Sequence, residues 1–212
     1  MRLYLCNPNS NARLTGELAS GMRQLLWPGE TLQVATADNG ISYIGSPETI
    51  SEARQWLEST LPKQVSAADA IIVGCFGDLG LEALQRAVDI PLLTLWDAYI
   101  LAARSMPGRL GIITSSAFWV DRMRGDVARA GLADRTTITA VDAPPSATRD
   151  ELTAAVNRAV DGMTREGVDA LILGGALFAG LDRSLSTHGF PIIDLNVAAV
   201  NFCRAGQRFV TP

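Results

Sequence analysis

Apolar residues along this chain follow two alternating rhythms. Short runs closed off by turn residues read as strands: Arg2-Leu3-Tyr4-Leu5-Cys6, Thr31 to Ala37, Ala70-Ile71-Ile72-Val73, Pro91-Leu92-Leu93-Thr94-Leu95, Arg109 to Thr114, Thr136 to Val141, Ala170 to Gly174, and Pro191 to Asp194. Between them, apolar residues recur three and four apart, as on one face of a helix. These stretches are Leu14 to Leu26 before Pro28-Gly29, Glu48 to Leu61, Leu79 to Val88, the segment from Trp96-Asp97-Ala98 to Pro107-Gly108, Phe118 to Ala130, Arg149 to Glu166 before Gly167, and the end of the chain. Asp38 to Pro47 and Asp142 to Thr148 carry neither rhythm and are predicted loops, the first over a ligand cleft. Strands alternating with helices predict an α/β fold with parallel sheets flanked by helices.

The pattern then repeats itself. Val168-Asp169-Ala170-Leu171-Ile172-Leu173-Gly174-Gly175-Ala176 stays in gapless register with the stretch around Asp69 and Gly74, and Gly80-Leu81, Pro91, Leu95 and Ala98 meet Gly180-Leu181, Pro191, Leu195 and Ala198. About nine identities in roughly thirty positions are too well phased for chance. One repeat of this size indicates two pseudo-symmetric α/β lobes with their strand tips facing one cleft. The predicted division is 1–97 for the first lobe and 98–197 for the second, with a C-terminal helix over 198–212 packing back on the first. No Pro-, Gly- or Ser-rich linker separates the lobes.

The repeat is unequal at one place. After the first apolar run comes Gly74-Cys75-Phe76-Gly77-Asp78, and the position equivalent to Cys75 is Gly175. A cysteine at a strand tip, ahead of a helix N-terminus, is where a thiol can be activated as acid, base or nucleophile. The competing role is packing, since free cysteine is among the most buried residue types. Asn9 and Ser10, after the first strand, suit either helix capping or ligand binding, and so do Ser115 and Ser116 after Thr114.

Bulk properties narrow the classes. The 212 residues carry 48% hydrophobic and 19% charged residues with a net charge of -4, an ordinary globular composition with no basic face for nucleic acid. Lys63 is the one lysine, no apolar run reaches a membrane span, and no signal peptide opens the chain. Cys6, Cys75 and Cys203 are an odd number at no metal spacing, which points to reduced thiols in a cytoplasm, and with a lone His188 no protein-held metal is expected. Cys203 and Cys6 read as packing residues, and His188 as a loop histidine. A small-molecule substrate is the expected partner, with no nucleic acid and no membrane. A closed homo-oligomer is the commonest default state.

Asn7-Pro8-Asn9-Ser10, Gly74-Cys75-Phe76-Gly77-Asp78, Arg109 to Ser115, Leu173-Gly174-Gly175-Ala176 and Gly189-Phe190-Pro191-Ile192-Ile193-Asp194 occur in one chain, in this order. Together they resemble the aspartate/glutamate/hydantoin racemase superfamily, within it the hydantoin and allantoin racemase branch, over nearly the whole chain. That resemblance implies a two-lobed fold with the active site between the lobes. It also implies a cofactor-independent enzyme in which two cysteines exchange a proton at a carbon beside a carbonyl or carboxylate. By the same resemblance Cys75 is the thiol acid/base, and the N–H groups of Phe76, Gly77 and Ala176 with the Thr114 and Ser115 hydroxyls stabilise developing charge. Asn9, with Ser10 beside it, holds the polar end of a substrate carrying a carboxylate or a cyclic imide or ureide. The branch has Leu-Gly-Cys-Ala-Gly-Met where this chain has Leu173-Gly174-Gly175-Ala176-Leu177-Phe178, so the second thiol is replaced by Gly175. Three readings follow. One is a racemase in which His188, Cys6 or water serves the second face. The next is a one-cysteine decarboxylase or lyase resembling arylmalonate decarboxylases, which keep their thiol on the other lobe. The third is a non-catalytic small-molecule binder.

Overall fold

The computed structural model describes the chain except residues 39, 66, 142–146, 176–177, 179–180, 182–184, 186–190 and 209–212, and the side chains of 207 and 208. The predicted loop over 142–148 and the repeat position Gly180 fall largely or wholly outside the described residues. The chain divides into two compact units, Met1–Tyr99 with Leu195–Pro212, and Ile100–Asp194.

The first unit holds β1 (Arg2–Asn7), α1 (Ala12–Arg23), β2 (Thr31–Thr36), α2 (Pro47–Gln64), β3 (Ala70–Val73), α3 (Glu82–Ala87) and β4 (Leu92–Thr94). Its sheet is fully parallel, in the order β2-β1-β3-β4. Helix α4 (Leu95–Ser105) crosses from the first unit into the second, where β5 (Leu110–Thr114), α5 (Ala117–Arg129), β6 (Thr136–Ala140), α6 (Arg149–Arg165) and β7 (Ala170–Gly174) follow. Here the order is β6-β5-β7, also parallel, and Ile192 adds a single bridge to Leu171 on the outer side of β7. Both units therefore run first strand, helix, edge strand, helix, third strand. Among the described residues the predicted strand Pro191 to Asp194 is reduced to that one bridge, and α7 (Leu195–Arg208) follows directly.

The identities of the repeat have a common physical cause. Asp69 Oδ2 accepts the backbone N–H of Arg2 at 2.7 Å, and Asp169 Oδ2 accepts that of Arg109 at 2.7 Å. Each aspartate thus satisfies the first donor of the neighbouring strand, and its own N–H returns a bond to the same residue's carbonyl at 2.8 Å in both units. Pro91 and Pro191 likewise offer their carbonyls to Ile71 and Leu171, at 2.8 and 2.9 Å. Capping boxes start two of the helices, Ser46 with Thr49 at α2 and Thr148 with Glu151 at α6. In the second unit the α6 face Leu152, Val156, Val160 and Met163 packs on Ile113 and Leu171. Gly111 permits that approach, since a Cβ there would stand 2.2 Å from Met163 Sδ. Among the described residues no helix is long and apolar enough to cross a membrane.

Helix α7 is fastened to the first unit by one buried ion pair. Arg204 Nε lies 3.0 Å from Glu30 Oε1, with the two side chains 10% and 9% exposed, and the guanidinium stacks 4.2 Å above the Trp27 ring. Its hydrogen bond to Arg204 holds the Glu30 carboxyl below its usual value. Removing one member of a buried pair leaves the other uncompensated, so Glu30→Gln and Arg204→Met are each expected to cost about 3 kcal/mol. A group with a depressed folded-state pKa stabilises above its unfolded value and ceases to do so as pH falls through the folded one. Thermal melts will therefore show the gap between wild type and Glu30→Gln closing only on acidification below the ordinary carboxylate range.

Candidate active site

Each unit brings the C-terminal ends of two adjacent central strands together, and each end carries polar groups. In the first unit, Gly74 N–H donates to the Cys6 carbonyl at 2.8 Å, and Cys75 N–H to the Val73 carbonyl at 2.8 Å, so the chain turns tightly as soon as β3 ends. A side chain at 74 would meet Leu18 Cδ1 at 2.9 Å, so glycine lets α1 close over this turn. Cys75 stands at the strand tip as a free cysteine, 8% exposed. Phe76 turns its ring edge-on to Trp96 at 5.3 Å and lies 6.1 Å from Tyr99, giving the thiol's loop an aromatic backing on the start of α4.

The expected helix N-terminus at Cys75 is absent. The spacing predicts a helix from Leu79, yet α3 begins at Glu82 and spans six residues. Asp78 accepts the N–H of Gly80 at 2.8 Å, and Gly80 adopts φ +69°. That local turn competes with helix formation and delays it, so α3 contributes no dipole at the thiol.

Asn9 and Ser10 do not cap α1. Asn11 does, accepting the Leu14 N–H at 3.1 Å. Asn9 is 6% exposed, and its Oδ1 takes hydrogen bonds from Asn7 Nδ2 and the Asn11 N–H, both at 3.0 Å. Ser10 N–H is bound by the Ile41 carbonyl at 2.7 Å, which ties this loop to the 38–47 loop. Asn7 itself, fully buried at the end of β1, had no role assigned from sequence. The alternation of asparagines at 7, 9 and 11 was the available signal.

In the second unit Thr114 ends β5 fully buried, and its Oγ1 has no hydrogen-bond partner among the described residues. Ser116 occupies the N-cap position of α5 in extended conformation, but its hydroxyl caps nothing and is buried without a described partner. Ser115 is half-buried, and its Oγ lies 3.6 Å from where a Cβ on Gly175 would stand. Gly175 has φ +141°, a region side-chain-bearing residues rarely adopt. Ala176, Leu177 and His188 lie outside the described residues.

The remaining cysteines are packing residues. Cys6 is fully buried within β1 and Cys203 is 4% exposed on α7, and burial pushes both thiols up to about 12. Burial thus disfavours the thiolate of Cys6. Among the described residues no group of His, Cys, Asp and Glu side chains is placed to hold a metal ion.

The chain thus carries a strand-tip thiol in one parallel α/β unit and, at the matching tips of the other, a buried Thr114 hydroxyl with no partner among the described residues beside a positive-φ glycine. The chain belongs to the Asp/Glu/hydantoin racemase family, whose model matches residues 3–203. It is similar to a hydantoin racemase of Paenarthrobacter aurescens, 26% identical over 221 residues that cover 99% of this chain and 91% of the relative. An allantoin racemase from Klebsiella pneumoniae shares the fold with a TM-score of 0.86 at 20% identity, covering 99% of this chain and 88% of that one. A glycine-to-cysteine, cysteine-to-serine double mutant of arylmalonate decarboxylase shares it at TM-score 0.65 and 16% identity, covering 96% of this chain and 91% of that one.

Proposed function

We propose that this chain is a cofactor-independent isomerase of the racemase family, acting on a small carbon acid next to a carbonyl or carboxylate, with Cys75 as its acid/base. The observation that carries this reading is the cysteine, in no disulfide, at the tip of β3, held by the tight turn after Val73 and backed by Phe76. The Cys75 thiolate takes the α-proton. The electron pair moves onto the carbonyl oxygen as an enolate; a proton delivered to the opposite face, by His188 or by water, completes inversion, whereas return of the proton from Cys75 itself restores the starting configuration. Developing negative charge on oxygen calls for fixed donors. The donors this reading calls on are the Phe76 and Gly77 N–H groups and Asn9 in the first unit and, in the second, Ser115 and Thr114, whose buried hydroxyl has no partner among the described residues. Substrates carrying a carboxylate or a cyclic imide or ureide satisfy these requirements.

A second reading is favoured by Gly175, which offers no proton: Cys75 serves one face only, as in a decarboxylase or lyase that protonates an enediolate once carbon dioxide has left. One experiment separates the two. Enantiopure 5-monosubstituted hydantoins, amino acids and α-aryl malonates are incubated with enzyme in D₂O without added cofactor, and followed by proton NMR and chiral chromatography. Loss of the α-proton signal with racemisation supports the racemase. Loss with retained configuration, or decarboxylation to one enantiomer, supports one-face chemistry. No exchange and no decarboxylation on any of them rejects the carbon-acid reading in favour of a binder.

A further inference from the structure

The segment Asn7-Pro8-Asn9-Ser10-Asn11 fixes the polarity of a recognition group. Three backbone N–H groups, which can only donate, determine which way round each amide stands. Asn9 N–H donates to Asn7 Oδ1 at 3.2 Å, Asn11 N–H to Asn9 Oδ1 at 3.0 Å, and Leu14 N–H to Asn11 Oδ1 at 3.1 Å. Asn7 must then turn its Nδ2 inward, where it reaches Thr15 Oγ1 at 2.9 Å, Asn9 Oδ1 at 3.0 Å and the Asn11 carbonyl at 3.2 Å. Thr15 gives its one hydroxyl proton to the Asn11 carbonyl at 3.2 Å and accepts another from Thr36 at 2.8 Å. Both lone pairs of Asn9 Oδ1 are thus occupied from within the protein, by Asn7 Nδ2 and the Asn11 N–H. The Asn9 Nδ2 hydrogens have no partner among the described residues, although the residue is 6% exposed.

We propose that Asn7 is a positioning residue that locks Asn9 as a hydrogen-bond donor, so the substrate group met there is a carbonyl or carboxylate oxygen and not an N–H. This rests on the carbon-acid reading above and adds an orientation to it: a cyclic imide or ureide presents a carbonyl to Asn9 and turns its ring N–H groups elsewhere. A neutral-to-charged hydrogen bond of this kind is worth about 10- to 100-fold in affinity.

The test uses ligands that bind but cannot react, 5,5-dimethylhydantoin and 2,2-dimethylmalonate, which have no α-proton. Titration calorimetry on folded variants, each checked by its melting curve, is expected to show Asn9→Asp and Asn7→Asp weakening the tighter of the two ligands by about 10- to 100-fold. Thr15→Val, which removes the acceptor of the Asn7 amide, falls between wild type and Asn7→Asp, and Thr15→Ser restores the wild-type value. Wild-type affinity in Asn7→Asp and Thr15→Val overturns the proposal. A ligand-free readout covers the case in which neither compound binds: side-chain amide exchange by NMR should find the Asn7 NH₂ protected and the Asn9 NH₂ open, and the reverse order overturns it. Should these results hold while wild type exchanges no α-proton in D₂O, the carbon-acid chemistry fails and the donor assignment stands.

Discussion

Cys75→Ser is expected to retain the fold and to lose α-proton exchange by at least about 1,000-fold, within the range that a positioned general acid/base contributes. Serine keeps the shape of the side chain with a smaller terminal atom, and Cys75 lies at a strand tip in a turn built from backbone hydrogen bonds, so the exchange leaves the fold unperturbed. What changes is acidity. A serine hydroxyl is a far weaker acid than a thiol and holds no usable fraction of its conjugate base near neutral pH. Each tenfold loss is about 1.4 kcal/mol of transition-state stabilisation, so about 1,000-fold asks the thiol to supply about 4 kcal/mol. The measurement is kcat for loss of the α-proton signal in D₂O, with binding of an unreactive ligand followed separately. Alkylation by iodoacetamide in the native protein supplies an independent check. All three cysteines are buried, and burial pushes the Cys6 and Cys203 thiols up to about 12; with Cys75 as the acid/base, modification should fall on it and abolish exchange with one equivalent incorporated. Cys203→Ala should leave exchange unaltered. Retention of full activity in Cys75→Ser would remove the thiol from the mechanism altogether.

How far the chain could be read from its sequence depended on which forces set each element. The repeat was legible because its shared residues serve backbone satisfaction: Asp69 and Asp169 each cap the first N–H of the neighbouring strand, and Pro91 and Pro191 each lend a carbonyl to the strand beside them. Such roles fix residue identity at fixed spacing, so they survive as identities. Strand-tip position was legible for the same reason, because Gly74 is required by the approach of Leu18. The α3 boundary was not legible. Leu79 to Val88 has helical spacing, but the Asp78–Gly80 turn hydrogen-bonds the backbone locally and withholds the first turn of helix. The last strand was legible only in part: Pro191 to Asp194 is apolar enough for a strand, yet among the described residues it makes one bridge, at Ile192, where its repeat counterpart β4 makes a ladder. Asn7 was missed because the sequence marks Asn7-Pro8-Asn9-Ser10-Asn11 as turn-forming, while Thr15 and Thr36, which complete its network, lie far along the chain or on another element. Hydrogen bonds that join distant residues leave no periodicity to read.

On the one-face reading, Gly175→Cys is expected to convert exchange into racemisation, at a rate at least about tenfold above the racemisation of wild type. The repeat makes 175 the counterpart of Cys75, and β7 holds the same place in its unit's strand order that β3 holds in the first. There is room for the side chain: a Cβ at 175 would lie 3.6 Å from Ser115 Oγ and 3.9 Å from the Phe178 ring, ordinary contact distances. The backbone opposes it. At φ +141° any residue with a Cβ is strained, and the variant is expected to be less stable by about 1–3 kcal/mol. Gly175→Ala carries the same strain without a thiol, so comparing the two variants separates chemistry from conformation. If both lose stability equally and only Gly175→Cys racemises, the missing acid of this chain belongs at 175. If wild type already racemises fully and Gly175→Cys adds nothing, a group other than residue 175 serves the second face. Identical behaviour of the cysteine and alanine variants, with exchange but no racemisation in either, would mean that a thiol at 175 does not reach the carbon that Cys75 deprotonates. The strain itself bears on the chemistry. A glycine in this conformation sets a course for the β7 tip that a cysteine there disfavours, so placing a thiol at 175 requires the turn to give way.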